Sequence, residues 1–168
     1  IRNSRINILM KIYKKEIGGR TLITETGKIA RQSDGAVMVT YGETTILTAV
    51  NAAKEPREGI NFFPLQVEYR ERHYAGGKIP GGFFKREARP SEKEILISRL
   101  IDRPIRPLFP KDFKNETQVI VTVLASDGIN PSGAIAGIGA SAALAISNIP
   151  WDGPIATVSV GMTNDKFV

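Results

Sequence analysis

Residues 131–147 read PSGAIAGIGASAALAIS, and this stretch decides the architecture. Asn130-Pro131 opens it, proline being at home in a first helical turn where its missing N–H is not needed. The apolar residues that follow lie almost all round the helix rather than along one stripe, the pattern of a helix enclosed by its own core. Each of its glycines costs about 1 kcal/mol of helix propensity relative to alanine. A sheet that must approach the helix closely would account for them. A buried helix needs other layers to cover it, and the flanking sequence supplies strands.

Upstream, KIYKKEI (11–17) and RTLITET (20–26) flank Gly18-Gly19, a hairpin signal. AVMVTY (36–41) and TTILTAVNAA (44–53) flank Gly42-Glu43 and read as a second hairpin. In FFPLQVEYR (62–70) the alternation places Phe63, Leu65 and Val67 on one face of a further strand. TQVIVTVLAS (117–126) reads as a buried strand. Downstream, PIATVSVGM (154–162) reads as a strand, TND (163–165) as a turn, and KFV (166–168) as the start of another strand. A hairpin that stops after three residues leads to the expectation of the front part of a longer protein. The fold class implied is α+β, with mixed sheets packed on a buried helix and the domain cut short at its C-terminus. Residues 1–10 are expected to form a basic tail and 11–168 one incomplete domain.

Between these strands lies PGGFFKREARPSEKEILISRLIDRPIRPLFP (80–110), where the chemistry concentrates. Glycines 76, 77, 81 and 82 and Pro80 mark a loop, long enough to be functional in a compact domain. Ser91 and Glu94 have the spacing of a capping box, so a helix starts there. It is expected to end near Asp102, because Pro104 lacks a helix donor and disfavours helical geometry at Arg103; a kinked continuation to Arg106 is the alternative. Arg99 and Arg103, four apart, share a face. Like charges at that spacing repel by a few tenths of a kcal/mol, which an anion between them would offset. Guanidinium forks match phosphate oxygens. The competing reading pairs these arginines with Asp102 or Glu94. Phe83 and Phe84, adjacent rings between glycines and Lys85-Arg86, suit base stacking on single-stranded nucleic acid. The competing reading has one ring anchoring the loop. Arg89 sits between loop and helix and can serve either site.

The formal net charge is +6, and it is clustered. Residues 70–106 carry ten Lys or Arg against five Asp or Glu, and residues 1–15 carry five cations and no acid. Clustered cations beside aromatics are the footprint of a polyanion binder. The absence of cysteine excludes disulfides and thiolate metal sites, and the single histidine, His73, excludes multi-histidine sites. There is no apolar run of about 20 residues that would span a membrane. His73 shows no acid–base partner in the sequence and reads as structural. Ser132 and Ser141 read as helix hydroxyls bonded back to a carbonyl, and Asp127-Gly128 as a turn. No P-loop, dinucleotide fingerprint or metal-ligand cluster is present.

YRERHYAGGKIPGGFFKREARPSEKEILISRLIDRPIRPLFP (69–110) closely resembles the first ribonuclease PH-like domain of the polynucleotide phosphorylase family. The likeness extends through TGKIARQSDGAVMVTYGETTILTAV (26–50) and GASAALAISNIPWDGPIATVSVGM (139–162), and covers about residues 12–168. That family degrades RNA from its 3′ end with inorganic phosphate as co-substrate, releasing nucleoside diphosphates, and can run in reverse. The resemblance implies a ribonuclease PH-like fold, a homotrimeric ring with a central channel, and single-stranded RNA as partner. RNA-degradosome components are further partners it allows. It implies that Phe83, Phe84, Lys85, Arg86 and Arg89 belong to an RNA-gripping channel loop, with Lys85 standing where the family usually has arginine. Arg99 and Arg103 match arginines that position RNA phosphates in the catalytic cleft; Arg106 matches a family arginine of less defined role. Magnesium is expected in the second domain, outside this chain, so no metal site is expected in this segment and the isolated segment should be inactive. The expected location is the bacterial cytoplasm, with mitochondrion or plastid left open by the basic N-terminus. The alternatives are a single-domain ribonuclease PH and a non-catalytic RNA-binding subunit of an exosome-type ring.

Overall fold

The computed structural model describes residues 10–81, 87 and 89–167. Its strands are β1 (Lys11–Ile17), β2 (Arg20–Thr26), β3 (Gly35–Tyr41), β4 (Thr44–Ala52), β5 (Leu65–Glu71), β6 (Thr117–Ala125), β7 (Met162–Thr163) and β8 (Lys166–Phe167). Helix α1 spans Glu92–Ile105 between β5 and β6, and α2 spans Ser132–Ala145 after β6. Six strands form one sheet in the order β1-β2-β3-β4-β6-β5, and β7 pairs with β8. All neighbours in the large sheet run antiparallel except β5 and β6, which are parallel. That pair is joined through α1, as a parallel pair requires a crossover.

Both hairpins form at the glycines. Gly18 and Gly19 have φ of 58° and 75°, the paired left-handed geometry that matches strand twist in a two-residue turn. Period-two alternation then turns one face of the sheet inward: Val37 and Val39 from β3, Ile46 and Val50 from β4, and Val119, Val121 and Val123 from β6 are all buried. Helix α2 lies on β3 and β4, α1 lies on β5, and the helices touch each other. The glycines of α2 permit this approach: a Cβ at Gly139 would come within 2.6 Å of Thr48 Oγ1 and 2.9 Å of Ile46 Cδ1. Phe63, Phe109 and Phe113 close the end of the core, with centroids 4.6 to 5.8 Å apart.

Two expectations need correction. Helix α1 does not stop at Asp102 but runs through Pro104 to Ile105. The donor that Pro104 lacks would have served the carbonyl of Leu100, a residue 70% exposed, where water can substitute. Ile101 and Ile105, both buried, hold the last turn against the core. Residues 154–161 form no strand; only Met162–Thr163 pairs, with Lys166–Phe167. The alternation is genuine, since Ile155 and Thr157 are half-buried between exposed neighbours, but the segment lies along α2. Ile155 N–H donates to Ser141 Oγ at 2.9 Å, and Gly137 leaves room for Thr157. Alternation reports an extended chain with one covered face and is silent on what covers it.

Candidate functional site

Helix α1 is bolted to the open edge of β5 by its own polar side chains. Ser91 and Glu94 form the capping box, Glu94 Oε2 accepting the Ser91 N–H at 2.7 Å. The other oxygen of Glu94 accepts the Glu71 N–H at 2.9 Å, and Ser98 Oγ accepts the Tyr69 N–H at 3.0 Å. Two edge amides of β5 are thus satisfied by the helix, which also blocks the edge against further pairing. Partial burial works against the charge on Glu94, but the N–H groups of Glu71 and Ser91 outweigh it and hold the carboxyl below its usual range. With Glu94, Ser98, Ile101 and Ile105 facing the sheet and core, helical periodicity turns Arg99 and Arg103 outward.

The three arginines have separate fates. Arg106 is consumed by structure. Its Nη2 and Nε contact Asp102 at 2.7 and 3.0 Å, and its guanidinium donates to the carbonyls of Phe63 and Leu65 at 3.3 and 3.1 Å. It clamps the approach to β5 onto the end of α1. Arg99 and Arg103 are exposed, and among the described residues neither makes an ion pair or a side-chain hydrogen bond. The carboxylates that could have neutralised them are engaged elsewhere, Asp102 by Arg106 and Glu94 by the cap. Arg99 borders a groove of about 260 Å³ with Glu68, Arg70 and Pro90. Among the described residues no carboxylate bonds to either arginine, and Glu68 in that groove lies 4.0 Å from Arg70.

Phe83, Phe84, Lys85 and Arg86 lie outside the described residues. Arg89 is exposed at a bend just before the cap. His73 does have an acidic partner, contrary to the reading from sequence: its Nδ1 lies 2.9 Å from Glu87 Oε1. Glu87 also accepts from Arg72 Nη1 at 2.7 Å. This cluster was missed because His73 and Glu87 stand fourteen positions apart, and no spacing rule links them. The serine readings also change. Ser132 Oγ is hydrogen-bonded to the Tyr69 hydroxyl at 2.6 Å, and Ser141 serves Ile155. Burial, opposed by the Ser132 bond and aided by the Glu71 charge, pushes the Tyr69 hydroxyl up to about 12.

Asp127 is the turn residue expected, but with wider reach. One of its oxygens accepts the N–H groups of Ile129 and Asn130, both at 2.8 Å, and the Thr44 hydroxyl at 3.0 Å. The other accepts the Glu43 N–H at 3.1 Å and the Asn130 side-chain amide. The Asn130 N–H leads the donors that hold this carboxyl far below its usual range. Asp127 thereby ties the β3–β4 turn to the entry of α2. Beside that entry, Lys93, Leu100, Ser132 and Val158 contribute to a cleft of about 660 Å³. Among the described residues no three His, Cys, Asp or Glu side chains gather in one place. No described helix is long and apolar enough to cross a membrane.

Comparison with known proteins places the chain in a family. Residues 18–150 match the profile of the 3′ exoribonuclease family, domain 1. A polyribonucleotide nucleotidyltransferase of Rhodopseudomonas palustris (strain TIE-1) is 59% identical over 162 residues, 95% of this chain and 22% of that protein. The chain thus spans about a fifth of the length of this relative. Among solved structures, rice (Oryza sativa) Rrp46 superposes with a TM-score of 0.60 at 16% identity, over 98% of this chain and 68% of that one. The Archaeoglobus fulgidus exosome with RNA bound to the active site gives 0.59 at 15% identity, over 95% of this chain and 64% of that one. These two likenesses speak for the fold.

Proposed function

The chain belongs to the 3′ exoribonuclease family, and on that premise we propose that it is part of a phosphate-dependent 3′–5′ exoribonuclease, a polyribonucleotide nucleotidyltransferase. Such an enzyme releases nucleoside diphosphates from RNA. The proposed contribution of this segment is to hold the RNA. The observation that carries the reading is the divided use of arginine along α1 and just past its end. Arg106 is locked into the fold by Asp102, while Arg99 and Arg103 are displayed, an arrangement that costs stability and gains nothing unless an anion arrives.

Attack by phosphate on a phosphodiester brings two anions together. It requires positioned cations and neutralisation of the charge that develops. Arg99 and Arg103 are the proposed positioning groups for RNA phosphates at the scissile end. Phe83 and Phe84 are the proposed stacking groups, and Lys85, Arg86 and Arg89 the proposed backbone contacts of a loop that grips single-stranded RNA. Binding of inorganic phosphate, the attacking co-substrate, and of magnesium is proposed to fall to residues outside this chain, and a homotrimeric ring is the proposed assembly. The 59% identity to a polyribonucleotide nucleotidyltransferase over 95% of the chain supports this reading above the single-domain alternative.

The test is phosphate-dependent release of nucleoside diphosphate from single-stranded RNA, comparing the 168-residue chain with the full-length protein. Activity confined to the longer protein is expected. Activity in the short chain would mean that a complete site lies within these residues.

A further inference from the structure

The last turn of α1 carries Arg103 and is short of a backbone bond. Pro104 lies inside the helix and has no N–H to give to the carbonyl of Leu100. Helix ends open at little cost in free energy, and a turn that opens carries its side chains with it.

Side chains make up for the missing bond. Asp102 and Arg106 are joined twice. The Arg106 N–H donates to the Asp102 carbonyl, and the guanidinium closes a fork on the Asp102 carboxylate, Nη2 at 2.7 Å and Nε at 3.0 Å. The pair spans both Arg103 and Pro104. The same guanidinium reaches the carbonyls of Phe63 and of Leu65, the first residue of β5, and lies 6.0 Å from the centre of the Phe63 ring. A second support comes from beyond α2. The Trp151 indole N–H donates to the Ile105 carbonyl at 3.1 Å, and the Asp152 N–H to the Leu108 carbonyl at 2.9 Å.

The place of the acid is informative. Asp102 stands next to Arg103 and three residues after Arg99. On a face that takes up a polyanion, an acid repels the ligand and competes for the cations. Nor does the pair repay this through stability. Its side chains are 26% and 42% exposed, and exposed ion pairs contribute little. What a bidentate fork does supply is direction as well as distance. A displayed guanidinium needs both, since a misplacement of about 1 Å can cost about 100-fold in rate.

We propose that Asp102 is a positioning residue for Arg103: its fork with Arg106 holds the last turn of α1 across Pro104, so that the Arg103 guanidinium meets an RNA phosphate from a fixed place. The inference rests on the reading of Arg99 and Arg103 as RNA-holding groups.

The test is Asp102→Asn in the full-length protein, alone and combined with Arg103→Ala. Asparagine keeps the size and one acceptor, and loses the charge and the second arm of the fork. Charge and positioning predict opposite signs. If charge alone mattered, loss of an acid beside the arginines would raise kcat/KM for a single-stranded RNA. Positioning makes it fall, by about five-fold or more, the loss that goes with a charge-assisted hydrogen bond. In the Arg103→Ala background the same substitution should change kcat/KM by less than about two-fold, because the group it positions is gone. Arg106→Lys keeps the charge and loses the fork, and should show the same coupling to Arg103. A kcat/KM for Asp102→Asn equal to or above that of the parent overturns the proposal. An equal fall with and without Arg103, in either variant, overturns it too, the pair then being a general support. So does melting far below the parent, since the pair would be needed for the fold itself. Arg103→Ala alone separates the two levels of the argument. If it leaves kcat/KM unchanged, the RNA-holding reading of this arginine fails. If it lowers kcat/KM while Asp102→Asn does not, only the positioning fails.

Discussion

Helices α1 and α2 are each fourteen residues long and make opposite use of that length. Helix α2 has no charged residue and buries most of its length, including Ile135, Ala136, Ala140, Ala143 and Leu144. Its entry has no side-chain cap and is organised from outside by Asp127. Helix α1 carries its own cap, buries only Ile101 and Ile105, and spends its remaining surface on charge. The difference teaches which residues are answerable to the fold and which are free to serve a ligand. Substitution in α2 should be read out as stability, and substitution on the outer face of α1 as activity.

The largest stability effect is therefore expected in α2. Leu144 is 1% exposed and sits in the core cluster. Leu144→Ala leaves a cavity in a helix packed on the sheet side and should cost about 2–5 kcal/mol, measured as a shift in the denaturant midpoint. A loss under about 1 kcal/mol would mean that α2 is not the packed layer described. On α1 the expectation reverses. Arg99→Ala with Arg103→Ala in the full-length protein should lower kcat/KM for RNA phosphorolysis by at least about 2 kcal/mol, the loss expected for charge-assisted contacts to phosphate. Unfolding free energy should change by no more than about 0.5 kcal/mol. Unchanged turnover at an unchanged melting temperature would sink the role proposed for the pair. A smaller effect falls on the α1 cap, where Ser91→Ala should cost about 1 kcal/mol, seen in thermal melting.

The same contrast explains what could be read before the structure. The glycine pair at 18–19, the Ser91–Glu94 box and the all-round apolarity of 131–147 are local signals, each enforced by backbone geometry within a few residues, and each appears where expected. Pro104 misleads because a missing donor matters only if the orphaned carbonyl is dry, and solvent access at Leu100 is a tertiary property. The segment 154–161 misleads because alternation is shared by a strand in a sheet and a strap across a helix. For the arginines, the i,i+4 relation of Asp102 to Arg106 is visible in sequence, but it applies only once the helix continues past Pro104. Arg106 stands as the weaker candidate through the family resemblance, and the ion pair with Asp102 shows what it does in this chain. The Glu87 cluster has no local signature at all. Its one trace is an acid among cations, which gains meaning only when the loop returns to His73.

Acid should strike the entries of both helices, and the Asp127 side isolates one of them. The Asp127 carboxyl is held far below its ordinary value by donors from Asn130, Ile129 and Thr44, whereas in the unfolded chain it titrates near about 3.9. A depressed folded pKa means that the unfolded state binds the proton more readily. The stabilisation is therefore complete above about pH 5, and it is lost as pH falls through the unfolded value toward the folded one. Asp127→Asn removes this dependence, while keeping one carbonyl acceptor for the turn amides. The variant should melt below the parent at pH 7, and the gap should narrow as the pH is lowered toward about 3. Glu94, depressed by the amides of Glu71 and Ser91, continues to titrate in both proteins, so a residual acid slope is expected. A gap that stayed constant from neutral to acid pH would show that Asp127 acts through shape alone, and the charge-based account of the α2 entry would have to be given up.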